Sequence, residues 1–377
     1  MKKKNNIHFK ILIVSFAIIL IVNILSIICT PFAEFYWKYI FAPVIANIFP
    51  RITGIFFFSV GEIMIILGII VVCMLIPAII TLFICNDKIK KARRAYLIFV
   101  MYVLVFIFFT ETFNCFIMYH TEKITDKVKF VDTGRDSRVE NKNDERGDIY
   151  KLLDVYNHVA KNANTLSEKL ERDSDGNLIS EYTYDECKEA LKNTGKYYPL
   201  LKGYYPDPKK IINSGIMSQQ NLEGIYFPFS MEANYNSLMY CVNMPSTICH
   251  ELCHLKGYIR EDEATFLSYI ACVNSENDFI RYSGYINALD YLFDDLMDYG
   301  NDDIYSEMVK VNEYVVHDDM FVENYKMEKI EEDSIVSTEK LKKATHAFLD
   351  TNLKVNGISS GIKNYDEVVK LLIKYYE

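Results

Sequence analysis

The sequence Cys249-His-Glu-Leu-Cys-His-Leu-Lys-Gly-Tyr-Ile-Arg-Glu261 decides the predicted fold, because it contains the pattern His250-Glu251-x-x-His254. Residues four apart lie on one face of an α-helix, so both imidazoles can bind a single metal ion. Glu251 then lies beside the ion, where it can act as general base for a metal-activated water. The stretch therefore predicts a helix that carries a metal site.

A third ligand is expected from the next helix. Gly257 follows the second histidine by three residues, at a position where helices commonly end. Glu261 and Glu263 come next, and either carboxylate can complete the set. Two histidines and one carboxylate, with a fourth position left to water, are the ligands of a catalytic zinc site. The residues alone predict Zn2+ and leave both carboxylates open.

The alternative is an amphipathic helix that buries two histidines without a metal ion. The chain has only 7 His, so a pair at this spacing is not a by-product of richness in histidine. Cys249 and Cys253 on the same helix are interpreted as small buried apolar residues rather than ligands. The metal site is therefore the preferred interpretation.

Apolar residues crowd into the first third of the chain, and residues 1–119 are predicted to form a transmembrane anchor. Three runs with little or no charge are long enough to cross a bilayer as helices. They cover about 11–29, 63–85 and 95–118. Basic residues precede the first run and cluster again at 88–94. The positive-inside rule then predicts a multi-pass protein of the cell membrane with a cytoplasmic N-terminus and an extracytoplasmic C-terminal part.

The later part of the chain has the composition of a soluble domain. Residues 120–147 are charged and poor in apolar side chains, which predicts a tether. A helical period of apolar residues begins near Asp148, so the zinc domain is expected over 148–377. Residues 222–236 are rich in aromatic and turn-forming residues, which predicts a small hairpin or edge strand before the metal helix. Helices are predicted at 184–193, 246–257, 260–281 and 284–299, with a largely helical tail over 302–377.

The pattern from His250 to Leu267 resembles the gluzincin peptidases, and most closely a family of bacterial membrane proteins, domain of unknown function family 3810. Other parts of the chain share the resemblance: 49–54, 226–236 and 356–365. In gluzincins the third ligand is the Glu of Glu-x-x-Ala, which implies Glu261, with Ala264 three residues later. Many of them carry Asp or Asn after the Ala, whereas this chain has Thr265. The resemblance implies a mainly α fold with a three-span anchor and an α-rich gluzincin-like domain.

The predicted activity is that of a membrane-anchored zinc metallopeptidase, an endopeptidase. Its metal ligands are His250, His254 and Glu261. Glu251 takes the proton of the attacking water and passes it to the leaving amine. A further donor should stabilise the oxyanion. Tyr282 and Tyr285 follow the second predicted helix, and Tyr285 is assigned this role.

The expected partners are the lipid bilayer and a peptide or protein substrate that is extracytoplasmic or membrane-associated. The net charge of −9 provides no basic patch, which argues against nucleic acid. A non-catalytic membrane receptor or sensor with a zinc-binding domain is the second hypothesis, and the intact Glu251 favours the enzyme. A transport component is disfavoured, because three spans without paired charged residues do not resemble a transporter.

Overall fold

The computed structural model describes residues 2–84, 86–139, 147–298, 302–356, 358 and 367–377. Helix accounts for 69% of the structure, and a small sheet has three strands, so the mainly helical fold predicted from the sequence is confirmed. The chain divides into two compact units. One contains Met1–Glu122 with Phe227–Glu232, and the other contains Lys123–Tyr226 with Ala233–Glu377.

The first unit contains the apolar helices. Its helices are α1 (Lys2–Ile28), α2 (Thr30–Tyr36), α3 (Ala46–Thr53), α4 (Val60–Cys73), α5 (Leu75–Ile80), α6 (Asp87–Glu111) and α7 (Ile117–Tyr119), with π-helical turns at Trp37–Ile45 and Thr112–Phe116. Three stretches are long and apolar enough to cross a membrane: Ile7–Ile28, Val60–Phe83 and Asp87–Tyr119. They agree in number with the predicted spans and indicate a membrane association. Cys85, the predicted end of the second span, lies outside the described residues.

The N-terminus of α4 is capped by a carboxylate from Phe227–Glu232. Glu232 is 2% exposed and accepts hydrogen bonds from the backbone N–H groups of Val60 and Gly61, at 3.2 and 2.8 Å. A carboxylate at this position satisfies N–H groups that have no partner within the helix, and it complements the helix dipole. This contact explains why a segment from the middle of the chain belongs to the first unit.

The remaining elements follow residue 122. The helices are α8 (Asp148–Ser167), α9 (Tyr184–Thr194), α10 (Ser214–Gln220), α11 (Asn243–Leu255), α12 (Glu261–Val273), α13 (Asp278–Asp298), α14 (Asp302–Glu307), α15 (Glu313–Asp318), α16 (Asn324–Glu332), α17 (Thr338–Val355) and α18 (Glu367–Tyr376), and the strands are β1 (Lys209–Lys210), β2 (Gly224–Phe227) and β3 (Glu232–Tyr235). Short 3-10 turns lie at Ile124–Lys127 and Pro199–Leu201. The strand order is β1-β3-β2, and β1 pairs with β3 in parallel.

Helix α12 lies at the centre of the second unit. Every residue from Asp262 to Val273 is buried. The helix packs against α9, α11, α13 and α18. A helix that is covered on all sides does not need the polar stripe of a surface helix, which accounts for its apolar sequence. The first turn of α12, which begins at Glu261, is therefore held in place by the core.

The helix predicted over 260–281 is interrupted in the structure. Helix α12 ends at Val273, and α13 begins at Asp278. The Oδ1 atom of Asn277 accepts two N–H hydrogen bonds from the first turn of α13, at 2.8 and 3.1 Å. Asparagine and serine favour caps and turns because their side chains bond nearby backbone groups, and the sequence Asn-Ser-Glu-Asn at 274–277 supplies three such residues.

The tether predicted over 120–147 is not a free linker in its described part. Val131 is 1% exposed and Asp136 is 7% exposed. The hydroxyl of Tyr376 donates to Oδ2 of Asp136 at 2.7 Å. A few buried residues in a charged stretch produce no helical or strand periodicity. The prediction of a linker therefore rested on composition alone. Residues 140–146 lie outside the described part of the chain.

A buried ion pair connects α15 to the segment that follows α8. Asp318 is 0% exposed, and its Oδ1 and Oδ2 atoms accept hydrogen bonds from Nη1 and Nη2 of Arg172 at 2.9 and 2.7 Å. The hydroxyl of Tyr282 donates to Oδ2 at 2.7 Å. Asp318 thus joins three separate parts of the second unit.

We expect Asp318→Asn to destabilise the second unit. Removing one charge from a buried pair leaves the other uncompensated, which costs about 3–5 kcal/mol. The midpoint of thermal unfolding of the full chain in detergent should fall clearly, whereas the exposed Asp175→Asn control should not move it. Equal midpoints for the two variants would show that the Arg172 pair contributes little.

Candidate metal centre

Helix α11 ends in a left-handed turn at Gly257, where φ is +92°. The N–H of Gly257 donates to the C=O of His254 at 2.8 Å, and the N–H of Tyr258 donates to the C=O of Cys253 at 3.2 Å. These two bonds form the Schellman arrangement, which places glycine at the residue with positive φ. The predicted helix end is therefore present. It reverses the chain so that Glu261 begins α12.

The three predicted metal ligands converge. The Nε2 atom of His250 lies 3.1 Å from Oε2 of Glu261, and Nε2 of His254 lies 3.5 Å from the same oxygen. One ligand atom of each residue lies within 4.8 Å of the other two. Ligand atoms placed tetrahedrally at about 2.0–2.1 Å from a zinc ion are about 3.3 Å apart. The observed distances therefore suit a metal ion of this size.

The second nitrogen of each imidazole is also engaged. Nδ1 of His254 lies 2.7 Å from the C=O of Tyr258 and donates to it. Nδ1 of His250 lies 3.2 Å from Oγ1 of Thr265. When Nδ1 carries the proton, Nε2 is left with the lone pair that a metal ion needs. Thr265 thus helps to fix the orientation of the His250 ring.

Glu263, the other candidate for the third ligand, is engaged elsewhere. Its Oε1 atom accepts a hydrogen bond from Nη1 of Arg260 at 3.0 Å and another from the N–H of Ile124 at 2.9 Å. Glu263 is 2% exposed. The structure therefore groups Glu261 with the histidines and pairs Glu263 with an arginine in the core.

The side chain of Glu251 is buried against strand β2. The residue is 5% exposed, and it accepts a hydrogen bond from the backbone of Tyr226. Its Oε2 atom has no hydrogen-bond partner among the residues that the structure describes. A Cβ atom on Gly224 would lie 2.5 Å from Oε1 of Glu251, so any other residue at this position would displace the Glu251 side chain. Glu251 therefore offers a buried carboxylate oxygen that can take up a proton.

Strand β2 forms one edge of the three-stranded sheet. The N–H of Asn236 donates to the C=O of Glu223 at 2.7 Å, which fixes the register of the hairpin. Backbone groups alternate in direction along a strand, so those of Gly224 and Tyr226 point away from β3. The hydrogen bond from Tyr226 to Glu251 agrees with this direction. The sequence prediction of an edge strand before the metal helix therefore matches the structure.

Burial and neighbouring charges both shift the pKa values of Glu251, the two histidines and Glu261. Burial raises the pKa of Glu251 to about 8, helped by the charge of Glu261 and opposed by that of His254. Burial disfavours the charged form of His254, but Glu261 outweighs it and raises the pKa of His254 to about 9. Burial also disfavours the charged form of Glu261, but the two imidazoles lower its pKa overall. Burial and repulsion by His254 lower the pKa of His250.

The two tyrosines considered as oxyanion donors are committed to the core. The hydroxyl of Tyr282 donates to Asp318 at 2.7 Å, and the hydroxyl of Tyr285 donates to Asp136 at 3.2 Å. Tyr282 is 0% exposed and Tyr285 is 1% exposed. The structure therefore does not bring Tyr285 to the histidines, because its hydroxyl hydrogen is already used by a buried carboxylate.

A third tyrosine of α13, Tyr291, lies near the candidate site and was not identified from the sequence. It is half-buried, forms a side-chain hydrogen bond with Thr265 and interacts electrostatically with Glu261.

A family model described as a protein of unknown function, DUF3810, matches residues 36–373. No curated protein and no solved structure matches the chain. Of the stretches that carry the resemblance, 359–365 lies outside the described residues, whereas 49–54 and 226–236 are described. The matched range includes the candidate metal ligands and all but the first part of the apolar region. The chain therefore belongs to the DUF3810 family.

Proposed function

We propose that this chain is a membrane-anchored zinc-dependent peptidase, with His250, His254 and Glu261 as metal ligands. The observation that carries the proposal is the convergence of two Nε2 atoms and one carboxylate oxygen, with distances of 3.1 and 3.5 Å. Both Nδ1 atoms are held by oxygen atoms, as is usual for histidines that bind metal ions. When bound, the ion supplies a Lewis acid for water and for the carbonyl group.

Glu251 handles the protons in this proposal. It accepts a proton from the attacking water at Oε2, the oxygen that has no other hydrogen-bond partner among the described residues. The same carboxyl group then gives that proton to the leaving amine, so that one water is consumed per bond cleaved. Its burial against β2 excludes bulk water from the proton transfer.

Strand β2 orients the substrate in this proposal. An extended peptide can add to an exposed sheet edge through main-chain hydrogen bonds. The N–H of Tyr226 already donates to Glu251, so the outward groups left for a peptide are the backbone of Gly224 and the C=O of Tyr226. A peptide on this edge therefore passes the general base. Recognition through backbone groups suits a peptidase that accepts a peptide in extended form.

The second hypothesis, a receptor or sensor that binds zinc without catalysis, shares the same metal ligands. It gives no role to a buried carboxylate oxygen beside the ligands, and this is why the peptidase is preferred. Under either hypothesis, the apolar helices hold the chain in the cell membrane. We further propose that the N-terminus is cytoplasmic and that the second unit lies outside the cytoplasm, where its substrates are peptides or proteins.

Metal binding is tested on the full chain in detergent, by measuring zinc after equilibration and removal of free metal. We expect about one zinc ion per chain for the wild type, much less for Glu261→Gln, and no loss for Glu263→Gln. Glu263 is buried with Arg260, so the zinc content of Glu263→Gln is compared only if a thermal unfolding transition shows that this variant is folded. The exposed Glu276→Gln is the second control. Zinc lost only with Glu263→Gln would assign the other carboxylate, and a zinc-free wild type would refute the site.

Catalysis is tested with a synthetic peptide library, whose products are identified by mass spectrometry. We expect the zinc-loaded wild type to cleave, and Glu251→Gln to bind zinc but cleave about 10²–10⁴-fold more slowly, because it lacks the general base. Glu276→Gln, whose side chain is 89% exposed, should match the wild type. A wild type that binds zinc but cleaves nothing would contradict the peptidase and support the receptor or sensor.

Sidedness is tested by labelling spheroplasts with a membrane-impermeant maleimide. Ile335 is fully exposed in the second unit, and Lys90 is exposed in the first turn of α6, within the basic cluster 88–94. We expect Ile335→Cys to react in intact spheroplasts and Lys90→Cys to react only after permeabilisation, with the wild-type cysteines as background. The reverse pattern would show that the second unit is cytoplasmic.

A further inference from the structure

One face of α11 carries three polar residues at intervals of four positions: Asn243, Thr247 and Glu251. Successive members of this row are about 6 Å apart along the helix axis. Nδ2 of Asn243 donates a hydrogen bond to the C=O of Met320 at 2.8 Å, and Oγ1 of Thr247 donates to Oε2 of Glu223 at 2.7 Å. This face of the helix therefore leads from Glu251 past Glu223 to the segment around Met320.

Three further carboxylates lie near Glu223 and form with it an acidic group. Asp290 and Asp294 are one turn apart on α13, and Asp319 directly follows α15. The charges of the other three members all act on Asp290, so the four are close neighbours. In the part of the chain that the structure describes, no member forms an ion pair with a basic residue. Like charges at short range repel each other, so this group lacks a compensating cation.

The acidic group lines a recess. Asp290 is exposed to solvent, and Glu223 is half-buried. The surrounding protein nevertheless raises the pKa of Asp290 to about 7 by partial burial, helped by the charges of the other three carboxylates. Burial also raises the pKa of Glu223, opposed by the hydrogen bond from Thr247. Side chains that are surrounded by protein and still open to solvent belong to a concave surface, where a ligand can reach them.

A buried carboxylate oxygen without a partner lies beside this group. Glu251 is 5% exposed, and its Oε2 atom accepts no hydrogen bond from the described residues. The charge of Glu223 acts on Glu251, so the acidic group and the proposed general base are within electrostatic range of each other. A divalent ion at the candidate metal centre would be balanced by Glu251 and Glu261. The charges of Glu223 and Asp290 would then remain uncompensated.

The arrangement of the acidic group does not suit a second metal ion. A metal ion requires ligand atoms that converge on one point, and among the described residues the set that meets this requirement is His250, His254 and Glu261. Carboxylates that are close without converging suit an organic cation instead. Ammonium and guanidinium groups present three and five N–H donors in different directions, so they can serve separate carboxylates at the same time.

We propose that Glu223 and Asp290 bind a positively charged group of the peptide substrate, an ammonium or guanidinium group close to the scissile bond. This inference rests on the proposed peptidase function and names a substrate class for it. Glu223 directly precedes Gly224 of the edge strand β2, so a peptide added to this edge passes Glu251 and then Glu223. Thr247, which holds Glu223, lies about 6 Å along α11 from Glu251, and an extended peptide covers this distance in about two residues.

The test measures kcat/KM of the full chain with matched peptides. In a peptide that the wild type cleaves, each position within two residues of the cleaved bond is occupied in turn by lysine or by its uncharged analogue norleucine. Each peptide is made with a free and with an acetylated N-terminus. We expect the positive charge to raise kcat/KM about 10–100-fold at one place, because a hydrogen bond to a charged group contributes this much. A preference that follows lysine identifies a side chain as the bound cation, whereas a preference lost on acetylation identifies the α-amino group.

The variants are Glu223→Gln and Asp290→Asn, with the exposed Glu276→Gln and Asp175→Asn as matched controls. The readout is the ratio of kcat/KM for the cationic peptide to that for its neutral analogue, measured on the same protein. This ratio cancels a change in zinc content or in Glu251, because both peptides meet the same site. We expect the ratio to fall about fivefold or more in each variant and to stay at the wild-type value in the controls.

Charge reversal provides a second arm of the test. Asp290 is exposed, so Asp290→Lys is expected to fold, which its thermal unfolding checks. This variant should prefer norleucine to lysine and should cleave a peptide with glutamate at the same position faster than the wild type does. A structural role of Asp290 would not produce a reversed preference.

Two results would overturn the inference. Equal kcat/KM values for all cationic and neutral peptides in the wild type would remove the cation site and leave the peptidase intact. A preference for the cation that persists unchanged in Glu223→Gln and Asp290→Asn would assign it to other residues. A wild type that cleaves no peptide would instead refute the proposed function, and this inference with it, so the two kinds of failure are distinct.

Discussion

The carboxylate of Glu261 lies between two imidazoles, and the arrangement of the candidate site depends on this contact. Helix α11 places the histidines on one face, but the left-handed turn at Gly257 brings the next helix back against them. Helix α12 then runs through the middle of its unit and is packed on all sides. The position of the carboxylate is therefore set by the core, and a change that displaces α12 also moves this carboxylate away from the two imidazoles.

Sequence patterns were sufficient to predict the features that depend only on residues close together in the chain. The spacing of His250 and His254, the glycine after them and the three apolar runs were all identified, because helix geometry and membrane thickness act within one turn or one span. The separation of Glu261 from Glu263 was only partly local. Arg260 lies three residues before Glu263, but the second hydrogen bond to Glu263 comes from the backbone of Ile124, more than a hundred residues away.

Tertiary contacts also explain what the sequence did not predict. Tyr285 was chosen by its place along the chain, but the face of a helix decides what a side chain meets. That face was unknown without the break between α12 and α13 at 274–277. Residues 120–147 were interpreted by composition, which averages over a stretch and cannot detect one buried aspartate such as Asp136. Buried polar contacts of this kind need partners from distant segments, and no window of sequence contains both.

The hydrogen bond between Asp136 and Tyr376 joins positions that are 240 residues apart. At a synthesis rate of about 5–20 residues per second, Asp136 leaves the ribosome about 10–50 s before Tyr376 does. Helix α12 is complete at Val273, 103 residues before Tyr376, so for about 5–20 s of this time it lacks the cover of α18. The core of the second unit can therefore close only after its C-terminal helix has been synthesised.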